Sequence, residues 1–412
     1  MIASREKYFA GWMIDGSGRP PEKNVLMTVA GGEIRSLGKT AMPVPGIEGG
    51  VNVTDCTILP GLIDAHVHLF MSGTYDPAIR ETQLESGFDL VRDDIARRLK
   101  NCLDHGIVAV RDGGDCHGHV LAYKKEHLDS QIMPVAVFTA GRAWRRAGRY
   151  GRLIGRAPKA GNTLASAIES SREKVDHVKI VNSGLNSLVK FGKQTLPQFS
   201  QGEMAAAVAS AKKLGLKTMV HANGTVPVDI AVKAGCDSIE HGFFMGRDNL
   251  VQMAEQQIVW VPTAVTMQAY IKYMEHKEGR CSGRATLIQP GKDDLHPAEG
   301  ARRNLDHQLE QIAIARQLGV PVAAGTDAGS PGVDHGKSLQ EEISLLIQAG
   351  YSIPEAVRCA TRINAKLLGL ENGGRLAVGM PATFVAIKGP PEDLPHSLGR
   401  IISVFVNGKQ YA

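Results

Sequence analysis

The sequence predicts an α/β protein: a (β/α)8 TIM barrel with a small β-sandwich domain formed by both chain ends. Three observations carry this. Between about residues 61 and 368, eight short apolar β-rich runs alternate with amphipathic segments, the pattern of repeated βα units with parallel strands. Glycines recur where those amphipathic segments should end. Both ends of the chain have a different character, with Gly/Pro punctuation and short alternating runs.

The first end segment, 1–58, contains the alternating run 24–29 and belongs with 370–412, where 383–387 and 401–406 alternate in the same way. Between them, 59–369 forms the barrel domain. Its strands are expected at 62–66, 107–111, 135–140, 177–181, 218–221, 238–241, 259–263 and 320–325, and eight is the barrel number. The helices are legible as well. Val91, Ile95, Leu99 and Leu103 recur every four residues among Asp, Arg and Lys, and 204–214 is an Ala-rich amphipathic run. Gly106, Gly215, Gly235, Gly319 and Gly350 each follow a helix as its closing residue. A long charged stretch, 267–299, is expected to be a loop after the seventh strand, either a lid or a plain insertion.

Composition narrows the function classes. The 412 residues are 43% hydrophobic with a net charge of +5, mildly basic and spread along the chain, which argues for no nucleic-acid partner. The six cysteines (Cys56, Cys102, Cys116, Cys236, Cys281, Cys359) form no C-x-x-C pair and read as reduced thiols. The N-terminus lacks a continuous apolar segment, and no stretch approaches the roughly 18 apolar residues of a membrane span. A cytoplasmic protein without a membrane partner, acting on a small molecule as a homo-oligomer, is expected.

The chemistry concentrates at strand ends. Residues two apart on a strand share a face, so His66 and His68 can direct both imidazoles at one ion. Alone, H-x-H is a weak signal, and His117-Gly118-His119 repeats it. Its placement strengthens it, because Pro60 to Ala65 delivers the pair where the first strand ends, and barrel enzymes build their sites at strand C-termini. Lys179, His221, His241 and Asp327 then fall at the ends of later strands. Glu240 alternates with His241 and is expected to face away from the lumen.

These residues resemble the amidohydrolase superfamily, specifically its peptidase-like and imidazolonepropionase-like hydrolases. The carrying motifs are Pro60-Gly-Leu-Ile-Asp-Ala-His66-Val-His68, Val110-Arg-Asp-Gly-Gly114, Lys179-Ile-Val-Asn-Ser-Gly184, His221-Ala, Ser238-Ile-Glu-His241-Gly, Gly325-Thr-Asp327-Ala-Gly and the closing Gly373-Gly-Arg-Leu-Ala-Val-Gly-Met-Pro-Ala-Thr-Phe-Val. The resemblance implies a prolidase-type centre of two Zn²⁺ ions, with other divalent metals as substitutes. His66, His68 and Asp327 would hold one ion, His221 and His241 the other, and a carboxylated Lys179 would bridge them. An ammonium cannot ligate, but CO₂ addition makes it an anionic carbamate. A salt-bridged Lys179 beside a single metal is the alternative. Zinc-held water has a pKa near about 7, and Asp327 would serve as general base and then acid. The implied reaction is hydrolysis of an amide C–N bond in an N-acyl amino acid, dipeptide or cyclic amide. Heterocycle deamination and a non-catalytic scaffold with structural metal are the alternatives.

The segment 141–156 follows the third strand and carries six arginines with Trp144 and Tyr150. Arg145, Arg149 and Tyr150 are therefore expected to meet a carboxylate-bearing substrate, the alternatives being a solvated loop or a subunit contact. Peptidase-like relatives carry Gly-Gly-His-Gly in this loop, and the missing histidine argues against a standard dipeptide substrate. The closing motif also has Ala382-Thr383 where relatives show Ala-Asp. His117 and His335 are further candidates for the pocket wall, and Met267, Tyr270 and Tyr273 for an apolar one.

Overall fold

The computed structural model describes residues 6–40, 50–127, 134–278 and 295–411. Its first four strands are β1 (Glu6–Met13), β2 (Glu22–Ala30), β3 (Glu33–Lys39) and β4 (Gly50–Pro60). Period-two patterning sets their inward face: Val25, Met27 and Val29 of β2 are buried while Lys23 and Asn24 are exposed. Gly31 and Gly32, both at positive φ, make the tight turn into β3.

The middle of the chain pairs in parallel. β5 (Leu62–Val67), β6 (Ile107–Asp112) and β7 (Ala136–Thr139) form a three-stranded sheet. β8 (Ala143–Trp144), β9 (Gly155–Arg156), β10 (His177–Val181), β11 (Lys217–Ala222), β12 (Ser238–His241) and β13 (Val259–Val261) form a six-stranded one in the order β13-β12-β11-β10-β8-β9. β5, β6 and β10 to β12 are buried at nearly every position, because helices cover the outer faces and side chains fill the inner ones.

Seven of the eight expected runs are strands. The eighth, 320–325, is not: it joins its neighbours by isolated bridges, Trp260 to Val322 and Val67 to Ala328, and by single bonds such as Ala65 N–H to the Ala324 carbonyl at 3.1 Å. The ladder is therefore not a continuous eight-stranded ring. Ala323, Ala324 and Gly325 have little or no side chain with which to hold a strand face, and Asn364 takes up the Ala324 carbonyl at 2.7 Å. The Arg-rich segment, expected as a loop, contributes β8 and β9. The stretch after β13 is also not simply a loop: Val265–Glu278 and Pro297–Leu318 are helices, and 279–294, with Cys281, lie outside the described residues.

Three more strands, β14 (Phe384–Lys388), β15 (Ile401–Val406) and β16 (Lys409–Gln410), return to the start of the chain. Both ends thus meet in one seven-stranded sheet, β16-β15-β14-β4-β1-β2-β3, with its own cluster of Tyr8, Met27, Ile58, Phe384 and Phe405. Tyr8 packs edge-on against Phe384 and Phe405, at 5.1 and 5.2 Å between ring centroids. Helix ends follow the sequence. Ser200 and Glu203 form a reciprocal capping box, and Gly319 closes Pro297–Leu318 in the left-handed region. Among the described residues, no helix is long and apolar enough to cross a membrane.

Trp260, fully buried in β13, donates its indole N–H to the His241 carbonyl at 3.0 Å and so ties the inner packing to a candidate site residue. Trp260→Ala is expected to lower unfolding stability by about 3–5 kcal/mol. Denaturant titration checks this, and an unchanged midpoint would show that the indole is not part of a close-packed core.

Candidate metal centre

Four imidazoles, one amine and one carboxylate converge at the carboxyl ends of the parallel strands. β5 supplies His66 and, just beyond its end, His68. β10 supplies Lys179, β11 His221 and β12 His241, and the 320–328 segment supplies Asp327. His66, His68 and Asp327 place ligand atoms within 4.8 Å of one another. Asp327 Oδ1 lies 3.4 Å from both His66 Nε2 and His68 Nε2, and Lys179 Nζ lies 3.3 Å from His66 Nε2. The His66 and His241 rings are 5.1 Å apart, and those of His221 and His241 4.6 Å.

Three of the four imidazoles have one nitrogen hydrogen-bonded to a protein group, which leaves the other for a ligand. His68 Nδ1 meets the Gly114 carbonyl at 2.9 Å, His221 Nε2 the Gly184 carbonyl at 3.2 Å, and His241 Nδ1 the Thr263 hydroxyl at 2.7 Å. His66 Nδ1 lies 2.8 Å from Glu240 Oε2. Such outer contacts fix tautomer and ring orientation in metal sites.

Burial sets the charge states. It holds the His68 imidazole down to about 4 and that of His221 to about 3, and His66 and His241 well below the ordinary histidine value. At neutral pH all four are therefore neutral, with a lone pair available. Burial lowers the Lys179 amine to about 8 and raises the Asp327 carboxyl to about 6. The space itself is kept open by Gly113: a Cβ there would stand 2.7 Å from His68 Cε1 and 3.4 Å from His66 Nε2. A buried set of neutral imidazoles with a carboxylate fits a divalent metal ion.

The backbone is strained where two of these residues sit. His241 (φ 68°) and Asp327 (φ 60°) are non-glycine residues in the left-handed region, which persists only where the surroundings over-determine it. Here they do. The Gln308 amide and Trp260 indole both donate to the His241 carbonyl, and Asp327 N–H donates to the His66 carbonyl at 2.7 Å while Ser330 Oγ donates to its carboxylate at 2.8 Å.

The strain at His241 corrects one sequence expectation. Strict alternation would send Glu240 outward, but its fully buried carboxylate faces the same interior as the ligand group. Oε1 accepts from Arg111 Nη2 and from the Ser238 hydroxyl, both at 2.6 Å, while Oε2 lies against His66. Ser238 and Glu240 share the inner face, as residues two apart should, and it is His241 that departs from the pleat at the strand's end. Glycine at 242 was the available signal that β12 stops there. Asp64 was equally unassigned. It accepts from His66 N–H, Thr326 N–H and the Thr326 hydroxyl, lashing together the segments that carry His66 and Asp327.

Of the expected substrate residues, Tyr150 comes to the group: its half-exposed ring lies 5.4 Å from that of His221. The arginines around it are mostly engaged with the protein. Arg142 and Arg156 pair with Glu173 and Arg146 with Glu203, while Arg149 donates to the Leu196 carbonyl and Arg145 to those of Arg146 and Arg149. His117 is not brought to the ligand group; it stacks on His119 and meets the Leu84 carbonyl at 3.2 Å. His335 is buried behind His68, and burial holds its imidazole down to about 3. Tyr273 stacks on Tyr75 at 4.1 Å, and Met267 and Tyr270 share its helix.

A family model described as "Amidohydrolase family" matches residues 57–411. Among curated proteins, the chain is 23% identical to an ochratoxinase of Aspergillus niger over 94% of this chain and 82% of that protein. It is 26% identical to an imidazolonepropionase of a Polaromonas species over 91% and 85%. Among solved structures, a Xaa-Pro dipeptidase with bound methionine superposes with a TM-score of 0.80 at 24% identity, covering 99% of this chain and all of that one; the likeness is one of fold.

Replacing the carboxylate that orients His66 tests this geometry. Glu240→Gln is expected to weaken Zn²⁺ binding by about 10- to 100-fold. Competition with a chromogenic chelator measures it, and wild-type affinity in a folded variant would show that Glu240 does not govern the imidazole.

Proposed function

The chain belongs to the amidohydrolase family and is a hydrolase of carbon–nitrogen bonds, and from that premise we propose that it cleaves the amide of a small carboxylate-bearing substrate. That substrate is an N-acyl amino acid, a dipeptide or a cyclic amide. The observation that carries this reading is the convergence of four neutral imidazoles, Lys179 and Asp327 in one buried space at the strand ends. His66, His68 and Asp327 would hold one Zn²⁺ ion, His221 and His241 a second, and Lys179, carboxylated on Nζ, would lie between them. A divalent metal held there supplies a Lewis acid that acidifies water and polarises a carbonyl. Burial favours this use of Lys179: an amine lowered to about 8 has a neutral fraction at neutral pH that can add CO₂.

The chain's own residues do the rest. Asp327, held by Ser330 and raised to about 6 by burial, takes the proton from the attacking water and hands it to the amide nitrogen as the C–N bond breaks. Tyr150 offers its hydroxyl at the mouth beside His221, and Arg145, whose Nε is buried without a partner among the described residues, is a cation of the same loop. We read β5 to β13 and the 320–328 segment as one (β/α)8 barrel spanning 59–369, and 1–58 with 370–412 as a second, β domain whose strands form one sheet rather than the two of the expected sandwich. The separate apolar cluster of the terminal sheet supports that division.

Two measurements test the function. Activity on a panel of N-acyl amino acids and dipeptides is expected to fall to background after chelation and to return with Zn²⁺. Activity indifferent to chelation would sink the proposal. Asp327→Asn is expected to lower kcat by about 10²- to 10⁴-fold in protein reloaded with Zn²⁺, and a kcat within a few-fold of wild type would remove Asp327 as proton carrier.

A further inference from the structure

At the opposite end of the parallel strands lies a second cavity, of about 650 Å³, where β11, β12 and β13 begin. Its wall carries Lys212, Lys217, Arg358, Arg362 and Lys366 against a single carboxylate, Asp237. Asp237 is itself engaged by the Thr218 N–H and hydroxyl at 2.8 and 2.9 Å. Among the described residues none of the five cations forms an ion pair. Lys217 donates to the Lys366 and Leu367 carbonyls and Arg362 to those of Glu371 and Gly373, so both reach only neutral acceptors.

Of the acids nearby, Asp237 and Glu371 act on Lys217 through their field without forming an ion pair, and others are engaged elsewhere. Lys213 takes Glu169, Lys233 takes Asp229, and Arg316 takes Glu355. Many surface cations of this chain are paired in this way, whereas these five line one concavity. Like charges gathered around a concave, partly apolar space focus a positive potential into it. The lining also includes the apolar residues Ile258, Pro321 and Leu367. A basic lining with apolar residues among it suits an organic body carrying several negative charges, and the volume falls within the range of small-molecule pockets, about 300–1,000 Å³.

We propose that this cavity is an anion site, separate from the metal centre, that binds a phosphorylated small molecule of nucleoside-phosphate type. Arg358 and Arg362 supply planar guanidinium groups that can engage phosphate oxygens in pairs, Lys212 and Lys366 supply point charges, and the apolar lining residues receive the base or sugar face. The site is independent of the amide-hydrolase reading, because its residues lie at the amino ends of the strands and the candidate ligands at the carboxyl ends.

The experiment titrates the metal-loaded full chain with a fluorescent ATP analogue, followed by competition with ATP, pyrophosphate and adenosine. Saturable binding displaced by ATP and pyrophosphate but not by adenosine, and weakened by added salt, is expected. The double variant Arg358→Glu/Lys366→Glu is expected to weaken binding by at least about tenfold with thermal midpoint and metal content unchanged. Should the double variant fold poorly, Lys212→Glu tests the same rim from another helix. Absence of saturable binding by ATP or pyrophosphate overturns the proposal. So does binding that survives the charge reversals, which would place the anion at the metal centre or the Arg-rich loop.

Discussion

The constraint on which the architecture turns is the burial of six ionisable side chains in one small space. Charged groups held out of water cost several kcal/mol each unless they are neutralised or paired. This chain meets that constraint mainly by neutralisation. Desolvation keeps all four imidazoles unprotonated and pulls Lys179 and Asp327 toward their neutral forms. A buried ion pair beneath them, Arg111 with Glu240, is held by further bonds: Arg111 also donates to the Ala65 carbonyl and Ser238, and Glu240 Oε1 also accepts from Ser238. Neutral donors with lone pairs that face one another are what a divalent cation requires, so the stability problem and the binding chemistry have the same solution.

Holding those donors in place depends on backbone conformations that are unfavourable in themselves. The left-handed conformations at His241 and Asp327 cost roughly 1–3 kcal/mol each. They are maintained by partners deep in the core, namely Trp260, Gln308 and the His66 carbonyl. Asp64 adds a second tie between the first and last site segments, and Asn364 a third by donating to both the Ile63 and Ala324 carbonyls. Segment 320–328 therefore needs no regular strand to hold its position. Scattered backbone bonds to Trp260, Ala65, His66 and His68, together with these side-chain bonds, place Asp327 opposite His66 and His68.

Much of this was legible in the sequence, for identifiable reasons. Buried parallel strands are continuous apolar runs, and seven of the eight read correctly. The eighth is apolar too, but it is held by isolated bridges, scattered backbone bonds and side-chain bonds rather than a regular ladder, and composition does not distinguish the two. The candidate ligands stood out because histidine, lysine and aspartate are costly at strand ends without a purpose. Glu240 was misplaced because alternation presumes a regular pleat, and a single positive φ at His241 breaks it. The Arg-rich segment was legible as a feature of the mouth but not in its partners, because ion pairs with Glu173 and Glu203 join residues far apart in sequence.

Lys179 is proposed to stand between two ion sites rather than beside one. Metal content per chain, measured by inductively coupled plasma mass spectrometry on zinc-reconstituted wild type and Lys179→Ala, tests it most directly. About two ions per wild-type chain, and about one or fewer in a folded variant, are expected. A variant that keeps the full wild-type complement would contradict it.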